Sequence, residues 1–129
     1  MTDYLTPADV LAMHNDQIAR YGGGEGLRDP GQLEAALFRP QTGYYPDVLA
    51  QAAALWESLS QNHAFVDGNK RTAFAAMSTF LLINDVMLTA DAHDTWVFMS
   101  RLYETGGFRF EALDIWLRPN TRQIAARAE

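Results

Sequence analysis

Cysteine is absent from this 129-residue chain, which excludes a disulfide framework and any thiol chemistry. That absence suits a reducing cytoplasm, where disulfides are rare. Cations are scarce: ten Lys and Arg face sixteen Asp and Glu, for a net charge of −6. A nucleic-acid binder normally shows a basic face, so with a pI near 4.9 direct binding to nucleic acid is not expected. No apolar run approaches the roughly 20 residues that cross a bilayer. The opening, Met1 to Pro7, is polar and carries a proline, so no secretory signal is read there. Histidine is limited to His14, His63 and His93. Neither His14 nor His93 pairs with another His or a carboxylate at metal-ligand spacing, so a protein-built zinc site is not expected.

What is present fits one domain, 1–129, long enough to bury a core without staples. There is no internal repeat, low-complexity tract or linker. Thr6-Pro7 is an N-cap and first-turn proline. The helix it opens aligns Leu11, His14, Ile18 and Tyr21 on one face and ends at Gly22-Gly23-Gly24. Asp29-Pro30 starts a short helix through Phe38, stopped by Pro40. Residues 39–47 are rich in turn residues and aromatics and are expected to form a loop or small hairpin.

A third helix is predicted from Asp47 to Gln61, burying Leu49, Ala52, Ala53, Trp56 and Leu59. The fourth, from about Gly68 to Ile83, is apolar nearly all round and therefore central. A fifth begins at Asp91, aligns Trp96, Met99 and Tyr103, and closes at Gly106-Gly107. A sixth carries Phe110, Leu113 and Leu117 up to Pro119. The polar tail 119–129 is expected to fray. The reading is all-α, a single domain of about six helices.

The most informative stretch is His63 to Thr72, His-Ala-Phe-Val-Asp-Gly-Asn-Lys-Arg-Thr. It leads into the central helix, whose first turn has unpaired N–H groups and a partial positive charge, an anion-attracting arrangement. Gly68 lets a ligand approach the backbone, Asn69 adds an amide, and Lys70 and Arg71 add two positive charges. His63 beside them is a candidate general base. Any metal there should be Mg²⁺, held by one carboxylate plus ligand phosphates, and Asp67 is the well-placed carboxylate. Taken alone, Asp67 reads as readily as an N-cap, Gly68 as a turn residue, and Lys70 and Arg71 as a solvated face. His14, on an apolar stripe, reads as a hydrogen-bonded core residue, and His93 as exposed.

The segment resembles the signature of the Fic/Doc family: His-Pro-Phe, a variable residue, Asp or Glu, Gly, Asn, then a basic stretch. It is most similar to the Doc ("death on curing") branch, which reads Asp-Gly-Asn-Lys-Arg-Thr here. Gly26-Leu27-Arg28-Asp29-Pro30-Gly31 with Leu33-Glu34-Ala35-Ala36-Leu37, Asn62, and Trp116-Leu117-Arg118 extend the likeness over about residues 5–118.

The resemblance implies a Fic-fold helical bundle whose 39–47 loop is a flap gripping an extended target segment, with Tyr44 and Tyr45 lining the groove or packing within the loop. It implies His63 as the base taking a proton from a target hydroxyl, and Phe65 as the anchor of the loop. Asp67 would bind magnesium or orient the hydroxyl, and Gly68, Asn69, Lys70 and Arg71 would hold nucleotide phosphates. Arg28 and Glu34 are expected to be structural. The implied activity is that of a toxin of a toxin–antitoxin pair, phosphorylating Ser or Thr from ATP. In the Doc branch the target is elongation factor Tu.

Two rivals stand beside it, a nucleotidyltransferase attaching AMP and a non-catalytic nucleotide- or protein-binding module. AMP-transferring relatives have Gly where Lys70 stands and a second Arg where Phe74 stands. Those two differences favour transfer of the terminal phosphoryl group. Ala64 replaces the family's usual Pro and should loosen the loop slightly. The inhibitory motif of some relatives, Ser or Thr, three residues, Glu, then Gly or Asn, is broken here, since Tyr21 stands before Glu25-Gly26. A separate antitoxin that folds onto an apolar groove is therefore expected.

Overall fold

A computed structural model describes residues 1–124. Six α-helices are joined by short turns: α1 Pro7–Tyr21, α2 Pro30–Phe38, α3 Val48–Gln61, α4 Asn69–Ile83, α5 Ala92–Thr105 and α6 Phe110–Leu117. Local chemistry sets most of their starts. Thr6 and Asp9 form a reciprocal capping box on α1, and Asp29, Asp47 and Asp91 each accept a backbone N–H from the first turn of α2, α3 and α5. The sequence-predicted helix limits fall within a residue or two of these.

Helix α4 is central, as its all-round apolar surface requires. Ala73, Ala76, Met77, Phe80 and Leu81 are buried, and α4 packs against α1 and α3. Trp56 of α3 is fully buried and meets Phe74, Phe98, Phe108 and Trp116 at ring centroids 5.5–6.4 Å apart. This aromatic hub joins α3, α4, α5, α6 and the turn before α6.

Two expectations need correction. Residues 121–123 of the tail do not fray: β2 Thr121–Gln123 pairs antiparallel with β1 Val86–Leu88. The short run after α4 supplies N–H and C=O groups that need partners, and the tail returns to meet them. The remainder of the tail, 125–129, lies outside the described residues. Of the two forms expected for residues 39–47 the chain takes the loop, a single 3₁₀ turn, Arg39–Gln41, followed by bends. Finally, two residues of the expected apolar stripes stand out in solvent, Tyr21 and Trp96 at 67 % and 66 % exposure. Val10, which the stripe omitted, is buried in place of Tyr21.

Candidate active site

The loop between α3 and α4 is fastened from within and from below. Phe65 is buried and stacks on the His14 ring, centroids 3.9 Å apart. His14 Nε2 donates to the Asp67 carbonyl at 2.8 Å, so the histidine of α1 is the satisfied core residue its position suggested. The Asn69 side chain then closes a ring, its Oδ1 accepting from Phe65 N and its Nδ2 donating to Phe65 O, both at 3.0 Å. Its amide is thus committed to loop shape, and what Asn69 offers a ligand is backbone. Gly68 turns the chain at φ +75°, where a Cβ would sit 3.1 Å from Ile18.

The two sequence stretches that match the family meet here. Residues 26–29 run beside 64–66: Val66 N donates to Gly26 O, and the Ala64 carbonyl accepts from Arg28 N and Asp29 N at 2.7 and 2.9 Å. The loop is therefore held at Ala64 itself, the position where the missing proline was expected to loosen it. The Arg28 side chain is structural, as expected, donating through Nε to the His63 carbonyl at 3.0 Å. His63 itself adopts φ +51°, an uncommon setting for a residue with a Cβ, of the kind that marks functional sites.

Asp67 is exposed but restrained. Gly24 N donates to Oδ2 at 3.1 Å and Gly68 N to Oδ1 at 2.8 Å. These two backbone bonds, Gly24's foremost, and the nearby Arg71 charge hold its carboxyl below the ordinary carboxylate range. Each oxygen keeps a free lone pair, so an ionised hard donor faces solvent. That donor type fits Mg²⁺ bound by one carboxylate and phosphate oxygens. Arg71 turns toward the end of α1, donating to Gly22 O at 3.0 Å and Gln17 O at 3.5 Å. Lys70 makes no ion pair among the described residues.

His63, Asp67, Gly68, Asn69, Lys70 and Arg71 all border one cavity of about 460 Å³. A second cavity of about 460 Å³ runs between α3, α5 and the turn before α6 and shares Ser60, His63 and Lys70 with the first. The arrangement brings together an imidazole, a carboxylate, a lysine ammonium and a helix N-terminus. Those are the parts that in-line transfer of a phosphorylated group requires.

Sequence comparison agrees with the geometry. The Fic/DOC family profile matches residues 4–81. The chain belongs to the Fic/Doc family. It is 54 % identical over 96 residues to "Toxin Doc" of Mycolicibacterium smegmatis, covering 70 % of this chain and 72 % of the relative. It is 34 % identical over 89 residues to "Protein kinase doc" of Escherichia phage P1, covering 66 % and 71 %. The six-helix architecture is consistent with the Fic/Doc helical fold.

Sequence reasoning missed several parts of this Fic/Doc site. The glycines after α1 read as a helix stop, yet Gly24 holds Asp67. Gly23, at φ +119°, has no room for a Cβ, which would lie 2.7 Å from Asp67 Oδ2. Of its two expected roles Tyr45 takes loop packing, edge-on to Tyr44 at 5.0 Å, and its hydroxyl also accepts from Arg39 Nε at 2.6 Å. Arg39 also pairs with Glu57 at 2.7 Å, and Glu57 in turn receives the Phe110 N–H that opens α6. Tyr44 is exposed, and Glu34 faces solvent.

Proposed function

We propose that this Fic/Doc protein is a toxin kinase that moves the terminal phosphoryl group of ATP onto a Ser or Thr hydroxyl of a target protein. The observation that supports this most is that His63, Asp67 and Lys70 share the cavity at the start of α4. His63 takes the proton as the target oxygen attacks the γ-phosphorus. The new O–P bond forms while the bond to the bridging oxygen breaks, and ADP leaves with that electron pair. Lys70 and the first-turn N–H groups of α4 stabilise the charge on the phosphates, with Arg71 at the cavity wall. Asp67 would hold Mg²⁺, which neutralises phosphate charge when bound.

Phe74 favours the terminal group over AMP. It lies on α4 and packs edge-on against Trp56, centroids 5.9 Å apart, where an AMP-transferring relative would carry an arginine for the distal phosphates. A ring in that position offers no donor to phosphate. The target class is a translation factor, with elongation factor Tu the first candidate by resemblance.

A further cavity, about 540 Å³, is lined by Tyr21, Phe74, Leu88, Trp96 and Met99 and reaches Lys70 and Arg71. We assign it to an antitoxin segment that folds on binding, its apolar side against Trp96. No helix of the described residues is long and apolar enough to cross a membrane, and the cytoplasm is the proposed site of action. The test is mass spectrometry of extract proteins incubated with the chain and ATP–Mg²⁺. The expected product gains one phosphoryl group on Ser or Thr; a gain of AMP would identify a nucleotidyltransferase instead.

A further inference from the structure

Lys70 is the only lysine in the chain. Its Nζ lies over the ring of Tyr103, 4.2 Å from the centroid. Tyr103 belongs to α5, a different wall of the site from α4. Phe108 stacks on the same ring at 4.3 Å with 6° between planes. Two groups at such distances cannot share a face, so Phe108 takes one and the ammonium the other. The ring's hydroxyl is also fixed, 2.7 Å from Ser60 Oγ, and Ser60 is buried. Burial pushes the Tyr103 phenol up to about 12, so at neutral pH the ring presents a neutral face whose attraction for a cation is its quadrupole.

We propose that Tyr103 is a positioning residue: its ring holds the Lys70 ammonium where the two His63-lined cavities meet, facing the terminal phosphates of a bound nucleoside triphosphate. The assignment rests on the nucleotide reading above. A lysine stem is long and flexible, and an unguided ammonium would sample many directions. A carboxylate partner would guide it but would also compete with phosphate for the charge. A neutral ring guides without that competition. Because Ser60 Oγ fixes the ring's edge and Phe108 its far face, three helices and a turn converge on the placement of one cation.

Lysine labelled with ¹³C at Cε gives one side-chain resonance in this chain, which reads the geometry directly. In the wild type the Lys70 ε-protons should be shifted upfield by the ring current. Tyr103→Phe should keep that shift and Tyr103→Leu should lose it. Calorimetric titration with ATP–Mg²⁺ reads the consequence. Tyr103→Leu should weaken binding about two- to fivefold, while Tyr103→Phe stays close to wild type. Lys70→Ala should bind no better than the double variant Lys70→Ala/Tyr103→Leu, because both remove one interaction. An unshifted Lys70 resonance in the wild type overturns the proposal without any variant, even if Tyr103→Leu fails to fold. Additive losses in the double variant overturn it equally. Failure of the wild type to bind ATP–Mg²⁺ would strike the nucleotide reading, and the resonance would still decide whether Tyr103 holds Lys70.

Discussion

At His63 the backbone is held in the left-handed region at φ +51°, with its carbonyl tied to Arg28. The side chain itself is exposed and borders both cavities. His63→Ala keeps the Cβ and the backbone setting, so its effect should fall on chemistry. Loss of the base is expected to lower phosphoryl transfer about 10²–10⁴-fold with the helical circular dichroism unchanged; undiminished transfer would remove His63 from the reaction. Gly23 makes the opposite kind of prediction. A Cβ there meets Asp67 Oδ2 at 2.7 Å at φ +119°, so Gly23→Ala must displace the carboxylate as well as strain the turn. It should destabilise the fold by about 1–3 kcal/mol and raise the Mg²⁺ concentration needed for half-maximal transfer. A variant destabilised in thermal melts yet unchanged in Mg²⁺ dependence would separate the glycine turn from Asp67's role.

Among the elements, those with local signals were legible from the sequence. Asp29, Asp47 and Asp91 as caps, Gly106 as a stop, and the apolar α4 needed only neighbours in sequence. The β1–β2 pair was not legible, because three-residue strands carry little pattern and their partners are far apart in the chain, Met87 facing Arg122 at the middle of the ladder. The same holds for the site. The motif from His63 to Arg71 was visible as a motif. Gly24 on Asp67, Tyr103 on Lys70 and the diversion of the Asn69 amide to Phe65 are contacts that only the fold creates. One such contact ties two elements: Arg118, at the end of α6, donates to Asp47 Oδ2 at 2.6 Å and Oδ1 at 3.0 Å. Asp47 also caps α3. The Arg118 hydrogen bond, foremost, holds Asp47 below the ordinary carboxylate range. A lowered folded value means that this link stabilises the fold above the unfolded carboxylate value, about pH 3.9, and is lost as pH falls through the lower folded value. Asp47→Asn should therefore be less stable than wild type at neutral pH, with the gap closing in acid. Denaturant melts at neutral pH and near pH 3 check this, and a gap that persists in acid would contradict it.

Over the whole molecule, charge and apolar surface are distributed unevenly. A chain of net charge −6 sets its single lysine at the mouth of the His63 cavities. Trp96, 66 % exposed, stands over an apolar cavity that reaches the same lysine. An antitoxin segment seated there would close the site from the side. Trp96→Asp should then leave transfer unchanged and weaken neutralisation by the antitoxin by more than tenfold, since an anchoring aromatic is typically worth over 2 kcal/mol; titration of inhibition reads it, and unchanged neutralisation would move the antitoxin elsewhere.

In the proposed reaction the nucleotide sits with its terminal phosphate toward His63, because Lys70 and the start of α4 attract that end while Phe74 cannot hold it away. Parallel incubations of the chain and its target with ATP labelled at the γ-phosphate or only at the α-phosphate test that orientation in one measurement. Label on the target from γ-labelled ATP alone is the predicted result. Label from the α-position would contradict it and make the protein a nucleotidyltransferase.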